Sequence, residues 1–186
     1  MPRVLLLIAS VRIGRVGGLV GDWVQQHLID DGRFEIDRVD LAELRLPLMD
    51  EPNHPKLQQY VGAPARSWSA RVAAADAFVF VMPEYNHSYT APLKNALDYL
   101  VHEWASKPVG LVAYGGLAGG ARAVVALEPV LVNLRLIEAS PVVELAWVHE
   151  HVHAGVFQAT DRHDRALDAQ IAALHALVDQ RAALRR

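Results

Sequence analysis

Pro83-Glu84-Tyr85-Asn86-His87-Ser88-Tyr89-Thr90-Ala91-Pro92-Leu93-Lys94-Asn95-Ala96-Leu97-Asp98-Tyr99-Leu100 is the stretch on which the fold turns. Ala77 to Met82 precede it, an apolar run with the length and composition of a buried strand. A helix follows, with Thr90 as its N-cap and Pro92 in the first turn, where the missing N–H costs nothing. Leu93, Leu97 and Leu100 share one face of that helix, and Lys94 pairs with Asp98 on another. Residues 83 to 88 are therefore a loop at the carboxyl end of a strand, the edge of an open α/β sheet where ligands bind.

Working outward, the chain alternates strands with helices. Val4 to Ala9 read as a strand buried on both faces, followed by a loop over residues 10 to 18. A helix runs from about Val16 to about Ile29, with Gly32 as its C-cap. Phe34 to Leu41 form a second strand with a slip in its alternation. Residues 42 to 55 carry three prolines and read as a surface connection. A weakly patterned helix lies between Pro55 and Ala75, interrupted near Pro64. Pro108 to Tyr114 give a fourth strand, and a helix from Ala121 to Leu134 contains Pro129 as a kink or internal boundary. A fifth strand spans Leu136–Ile137 and Val142 to Ala146, irregular at Pro141. Leu167, Ile171, Leu174 and Val178 mark one face of a C-terminal helix over about 161–184. Asp161 and Asp164 stand at its start and Arg181 and Arg185 at its end, as the helix dipole favours. The expectation is one domain of residues 1–186, an α/β doubly wound parallel sheet.

Composition narrows the function. The 186 residues are 52% hydrophobic with a net charge of −3, and the 18 basic residues are scattered, so no nucleic-acid partner is expected. No run approaches the ~20 apolar residues of a membrane span. The apolar run after Arg3 is too short for a signal peptide and lacks a cleavage site. The absence of cysteine excludes disulfides, thiolate catalysis and cysteine-ligated metals, and the location expected by default is cytoplasmic.

Loops after the first, third and fourth strands emerge on one side of such a sheet. The first offers Ser10, Arg12 and Arg15 with Gly14, Gly17 and Gly18 ahead of a helix N-terminus, a combination suited to a phosphate. It is neither a Walker loop nor a G-x-G-x-x-G fingerprint. Taken alone, the glycines would shape a turn and the arginines would sit in water. Residues 83–88 supply backbone amides, a carboxylate, an amide and two rings. Tyr114 to Gly120 are glycine-rich enough for the backbone to approach a flat ligand, although alone they are a flexible turn. Together the three loops suit a mononucleotide cofactor.

The three segments resemble the NADPH-dependent FMN reductase family of flavodoxin-like proteins. Ala9-Ser10-Val11-Arg12-Ile13-Gly14-Arg15 is similar to the family's Gly-Ser-x-Arg…Arg. Pro83 to Asp98 match its Pro-Glu-Tyr-Asn-x-Ser…Leu-Lys-Asn-Ala-x-Asp, and Tyr114 to Gly120 its Tyr-Gly-Gly-x-x-Gly-Gly. The resemblance covers residues 1 to about 145 and implies an α/β flavodoxin-like three-layer sandwich on a five-stranded parallel sheet of order 2-1-3-4-5. It implies that Ser10, Arg12, Arg15, Val16 and Gly17 hold the FMN phosphate. Pro83, Glu84, Tyr85, Asn86 and Ser88 would line the isoalloxazine, largely through backbone contacts, and Tyr114, Gly115, Gly116 and Gly119 would close its other side. It further implies NADPH or NADH as electron donor and a small acceptor: a quinone, azo compound, flavin or oxidised metal. A homodimer or homotetramer is implied, with the helix after residue 90 in the dimer contact. No side chain is expected to act as catalytic acid or base. The alternative is a flavodoxin-type electron carrier or a flavin-bound sensor. Ala9 departs from the family's glycine, which would be unfavourable if that position were left-handed.

Two further patterns compete. His149-Glu150-His151-Val152-His153 satisfies H-E-x-x-H, but no helical apolar stripe surrounds it, so no metal is expected there. Ser88, His87 and Asp98 do not make a hydrolase triad, because the serine and histidine are adjacent and no G-x-S-x-G elbow occurs. Trp23, Trp68, Trp104 and Trp147 read as core or interface packing, and Lys94 and Asn95 as fixing either the loop or a dimer contact.

Overall fold

Five parallel strands lie in the order β2-β1-β3-β4-β5 in a computed structural model that describes residues 1–184. The elements in chain order are β1 (Arg3–Ile8), α1 (Gly17–Asp31), β2 (Glu35–Asp40), α2 (Leu41–Leu44), α3 (Ala63–Ala74), β3 (Ala77–Pro83), α4 (Ala91–Asp98), β4 (Pro108–Tyr114), α5 (Ala121–Leu134), β5 (Ile137–Leu145), β6 (Val152–His153), β7 (Val156–Phe157) and α6 (Asp161–Ala183). This is the doubly wound, flavodoxin-like order expected from the sequence, with the switch point between β1 and β3.

The central strands are apolar on both sides because both faces are covered. Val4 to Ile8 and Ala77 to Met82 are fully buried. Leu5, Leu7, Phe78, Phe80 and Met82 join α3, α4 and α5 in one core. Val4, Leu6, Ile8, Val79 and Val81 join α1 and α6 in the other. Each large side chain removed from water contributes roughly 1.5–3 kcal/mol, so an apolar-to-polar change in β1 or β3 would be severe.

Several boundaries move for identifiable reasons. Pro64 does not interrupt a helix but occupies the first turn of α3, whose N-cap is Gly62. Residues 42–55 are not wholly irregular, since Asp40 caps the one-turn α2 through the Ala42 amide. Pro129 is carried inside a continuous α5. The irregularity foreseen at Pro141 is a register shift between Gly110 and Val112, with a cis Ser140–Pro141 bond. Ala9 is not left-handed. Its amide bonds the Val81 carbonyl at 2.9 Å, extending β1, and the positive φ of that loop falls on Gly14 at 72°.

The C-terminal helix buries Leu167, Ile171, Leu174 and Val178, as expected, while Arg185 lies outside the described residues. Trp68 and Trp104 form an edge-to-face pair in the core, at 6.0 Å. Trp23 is half-buried, packs against the core on Phe157 and donates to Asp164, whereas Trp147 is half-exposed. No described helix is long and apolar enough to cross a membrane.

A candidate flavin cleft at the carboxyl edge of the sheet

Thr90 joins the first two loops. Its hydroxyl donates to the Ala9 carbonyl at 3.0 Å and accepts from the Leu93 amide, so the cap of α4 is also the anchor of the loop after β1. Asn95 holds the 47–49 connection, bonding the Pro47 carbonyl and the Met49 amide, while Lys94 pairs with Asp98.

The loop after β1 turns through Gly14 and enters α1 without a side-chain cap. The first intrahelical bond runs from the Val20 amide to the Val16 carbonyl, which leaves the Gly17, Gly18 and Leu19 amides without an intrahelical acceptor. Against this turn lie the hydroxyls of Ser10 and Tyr114, both buried and neither with a hydrogen-bond partner of good geometry among the described residues. A Cβ on Gly17 would stand 2.2 Å from Ser10 Oγ and 2.5 Å from Tyr114 Oη, so this position admits only glycine without displacement. Burial pushes the Tyr114 phenol well above its usual pKa, opposed by the neighbouring Ser10 hydroxyl and by Arg15 and Arg12.

The two arginines differ. Arg15 is clamped by both Asp40 oxygens, at 2.8 and 2.6 Å, and by the Ser10 carbonyl at 2.9 Å. Its first role is therefore to tie this loop to the end of β2. Arg12 is exposed and its side chain bonds only the Ile13 carbonyl, at 3.2 Å, among the described residues.

The loop after β3 is a tight turn. Tyr85 and Ser88 exchange both backbone bonds at 3.0 Å around Asn86 and His87, which sit at φ 49° and 65°. Two consecutive positive φ values are the signature of a type I′ turn, here without glycine. The Glu84 amide bonds the Tyr114 carbonyl. The amides of Glu84, Tyr85 and Ser88 are thus engaged within the chain. The Asn86 amide, by contrast, has no acceptor among the described residues.

The loop after β4 is fastened to the segment following β5. Leu145 and Gly119 bond, Trp147 bonds the Gly116 carbonyl at 3.0 Å, and Val148 bonds the Gly115 carbonyl at 3.1 Å. Gly119 and Gly120 have φ 60° and 97°, and a Cβ on Gly120 would reach within 2.7 Å of the Tyr114 amide nitrogen.

The three loops meet in a cleft of about 140 Å³ lined by Arg12, Arg15, Val16, Pro83, Glu84, Tyr85, Tyr114, Gly115, Gly116, Val148 and His149. Nine of the fourteen residues implied by resemblance line it directly, and Tyr114 is shared between wall and floor. Ser10 and Gly17 lie beneath it, Asn86 and Ser88 form the adjoining turn, and Gly119 is buried beside Ala146, behind the lining residue Gly115. A larger hollow of about 700 Å³ beside α4 collects none of these loops.

Sequence reading missed Val148 and His149, which reach the cleft only through the pairing of Gly115 and Gly116 with the segment after β5. It also missed Arg122, whose side chain holds Glu84. The H-E-x-x-H stretch is a short 3-10 turn, Val148–His151, running into β6, so the helical face that would pair two imidazoles does not form. Among the described residues no group of three or more ligating side chains could hold a metal ion.

The fold is that of a flavodoxin-like α/β protein, with the cleft at the carboxyl ends of β1, β3 and β4. The chain belongs to the NADPH-dependent FMN reductase family, whose profile matches residues 2–153. By family it is an oxidoreductase with FMN as cofactor and NAD(P)H as donor. It is 40% identical over 121 residues to an NAD(P)H-dependent FMN reductase of Schizosaccharomyces pombe, covering 64% of this chain and 60% of that one. To an NAD(P)H-dependent FMN reductase of Saccharomyces cerevisiae it is 36% identical over 145 residues, covering 72% and 75%. The fold also resembles the flavoenzyme NAD(P)H:(acceptor) oxidoreductase FerB of Paracoccus denitrificans, with a TM-score of 0.71 at 23% identity over 96% of each chain.

Proposed function

We propose that this chain binds FMN in the cleft and transfers electrons from NAD(P)H to a small acceptor. The observation that carries the proposal is the pair of buried hydroxyls, Ser10 Oγ and Tyr114 Oη, without a partner of good geometry among the described residues, at the uncapped first turn of α1. Buried polar groups are rarely left without partners, and a phosphate beside three unpaired amides would satisfy them. Arg12 would add a charge-assisted bond, and Arg15, held by Asp40, would shape the loop.

When bound, the flavin supplies hydride uptake from the nicotinamide and delivery of electrons to the acceptor. The protein contributes position and exclusion of water. Pro83, Glu84, Tyr85, Asn86 and Ser88 would shape one boundary of the ring site, and Tyr114, Gly115 and Gly116 the other. The Asn86 amide, without an acceptor among the described residues, is a donor for the polar edge of the ring. Val11, Ile13, Tyr85, Leu117 and Trp147 are exposed apolar side chains on the loops of this edge. They suit a flat, largely apolar acceptor such as a quinone or azo compound, with a flavin or an oxidised metal as further acceptors. The proposal includes a homodimer or homotetramer, supported by Val125 and Val132 exposed on α5, and a cytoplasmic location.

The test is a visible spectrum of the purified protein before and after anaerobic NADPH. Flavin bands that bleach support the proposal. Bands that persist assign the chain to the carrier type, and a colourless protein that takes up no added FMN overturns the proposal.

A further inference from the structure

We infer that Arg122, at the start of α5 and outside the motifs that carry the resemblance, is a positioning residue that locks the turn 84–88 through neutral His87, making the ring-side wall sensitive to pH. The inference rests on the reading of the cleft as a flavin site.

The geometry is specific. The Arg122 side chain binds Glu84 Oε1 through Nε at 2.5 Å and its backbone amide binds Glu84 Oε2 at 3.2 Å. Its Nη1 lies 2.9 Å from His87 Nε2. A guanidinium only donates, so Nε2 accepts, which requires the neutral imidazole with its proton on Nδ1. Glu84 is nearly buried in the wall of the cleft, its side chain 5% exposed. One side chain from a rigid helix therefore fixes the first and the fourth residue of a five-residue turn.

That turn needs fixing. Asn86 and His87 are both left-handed, a conformation non-glycine residues hold only where surrounding contacts over-determine it. Protonation of His87 removes the acceptor and places two cations together. The hollow beside His87 is lined by Ala121, Arg122, Val125 and Ala126, so Arg122 is the charged group α5 presents there. On the turn itself the nearby carboxylate is Glu84, with both oxygens already held by Arg122, and an imidazolium could reach it only by displacing that contact. Acid therefore unlocks the turn.

Two measurements test this. In flavin-free protein, nitrogen NMR of the imidazoles at about pH 8 should show His87 as the Nδ1–H tautomer, converting in Arg122→Leu. FMN titration by fluorescence quenching should show Arg122→Leu at least ~10-fold weaker at that pH, with its melting midpoint little changed. Between about pH 8 and 5.5 the wild type should lose at least ~5-fold more affinity than His87→Gln, which keeps an acceptor but no titrating ring. The phosphate titrates equally in both proteins and cancels. Identical pH profiles for wild type and His87→Gln, or an Nε2–H tautomer in the wild type, overturn the inference. If the wild type takes up no FMN, the proposed function fails, and the tautomer measurement still decides the lock.

Discussion

The two walls of the cleft are finished to different degrees. The wall from the loop after β1 leaves hydroxyls of Ser10 and Tyr114 unpaired, three helix amides uncapped and Arg12 in solvent. The wall from the loops after β3, β4 and β5 is closed on itself, with Tyr85 paired to Ser88, Glu84 held by Arg122, and Gly115 and Gly116 fastened to Val148 and Trp147. Unsatisfied polar groups identify where a ligand completes the structure, whereas satisfied ones identify where the protein sets shape in advance. On this view the first wall supplies affinity and the second supplies geometry.

Arg15 is the sharpest challenge to that division, since it stands on the open wall but is bonded like the closed one. Its side chain is 20% exposed and that of Asp40 7%, so Arg15→Met leaves a nearly buried carboxylate uncompensated. We expect a stability loss of about 3 kcal/mol in urea unfolding, larger than any direct effect on FMN. A stable variant with abolished FMN binding would place Arg15 with Arg12 instead.

Gly17→Ala is the next largest. Alanine suits a helix start, so folding should survive, but its Cβ must push aside Ser10 Oγ and Tyr114 Oη. FMN affinity should fall about 100-fold, ~2.7 kcal/mol, with an unfolding midpoint near the wild type. Unchanged affinity would mean those hydroxyls do not face the ligand.

Arg12→Ala should weaken FMN about 10-fold, ~1.4 kcal/mol, and leave riboflavin binding untouched, because only the phosphate is lost as a partner. Equal losses for the two flavins would move Arg12 to the ring side.

The smallest effect concerns the closed wall's outer support. His151, two residues beyond His149, packs its ring 5.2 Å from His163 in the capping box of α6. Burial, then the neighbouring His151, hold the His163 imidazole below its usual value of 6.5. The unfolded chain therefore takes up a proton first. The stability contribution is whole above about pH 6.5 and is lost as pH falls through 6.5 toward the lower folded value. The melting midpoint should decline over that window by no more than a few degrees, and His163→Gln should decline less. A steeper decline in the variant would reverse the sign assigned here.

The sequence by itself determined the succession of strands and helices along the chain, the helix starting at Thr90 and the loops that meet at the cleft. Those follow from short-range physics: apolar runs of strand length, a cap three residues ahead of the Leu93 amide, and glycines where the backbone turns left. Only the tertiary structure decided that Arg15 answers Asp40, that Arg122 grips Glu84 and His87, and that Val148 and His149 reach the cleft. Each of these joins elements from 25 to 38 residues apart or more. A charged side chain carries no mark in the sequence of which distant partner will share its desolvation; packing of the sheet decides that.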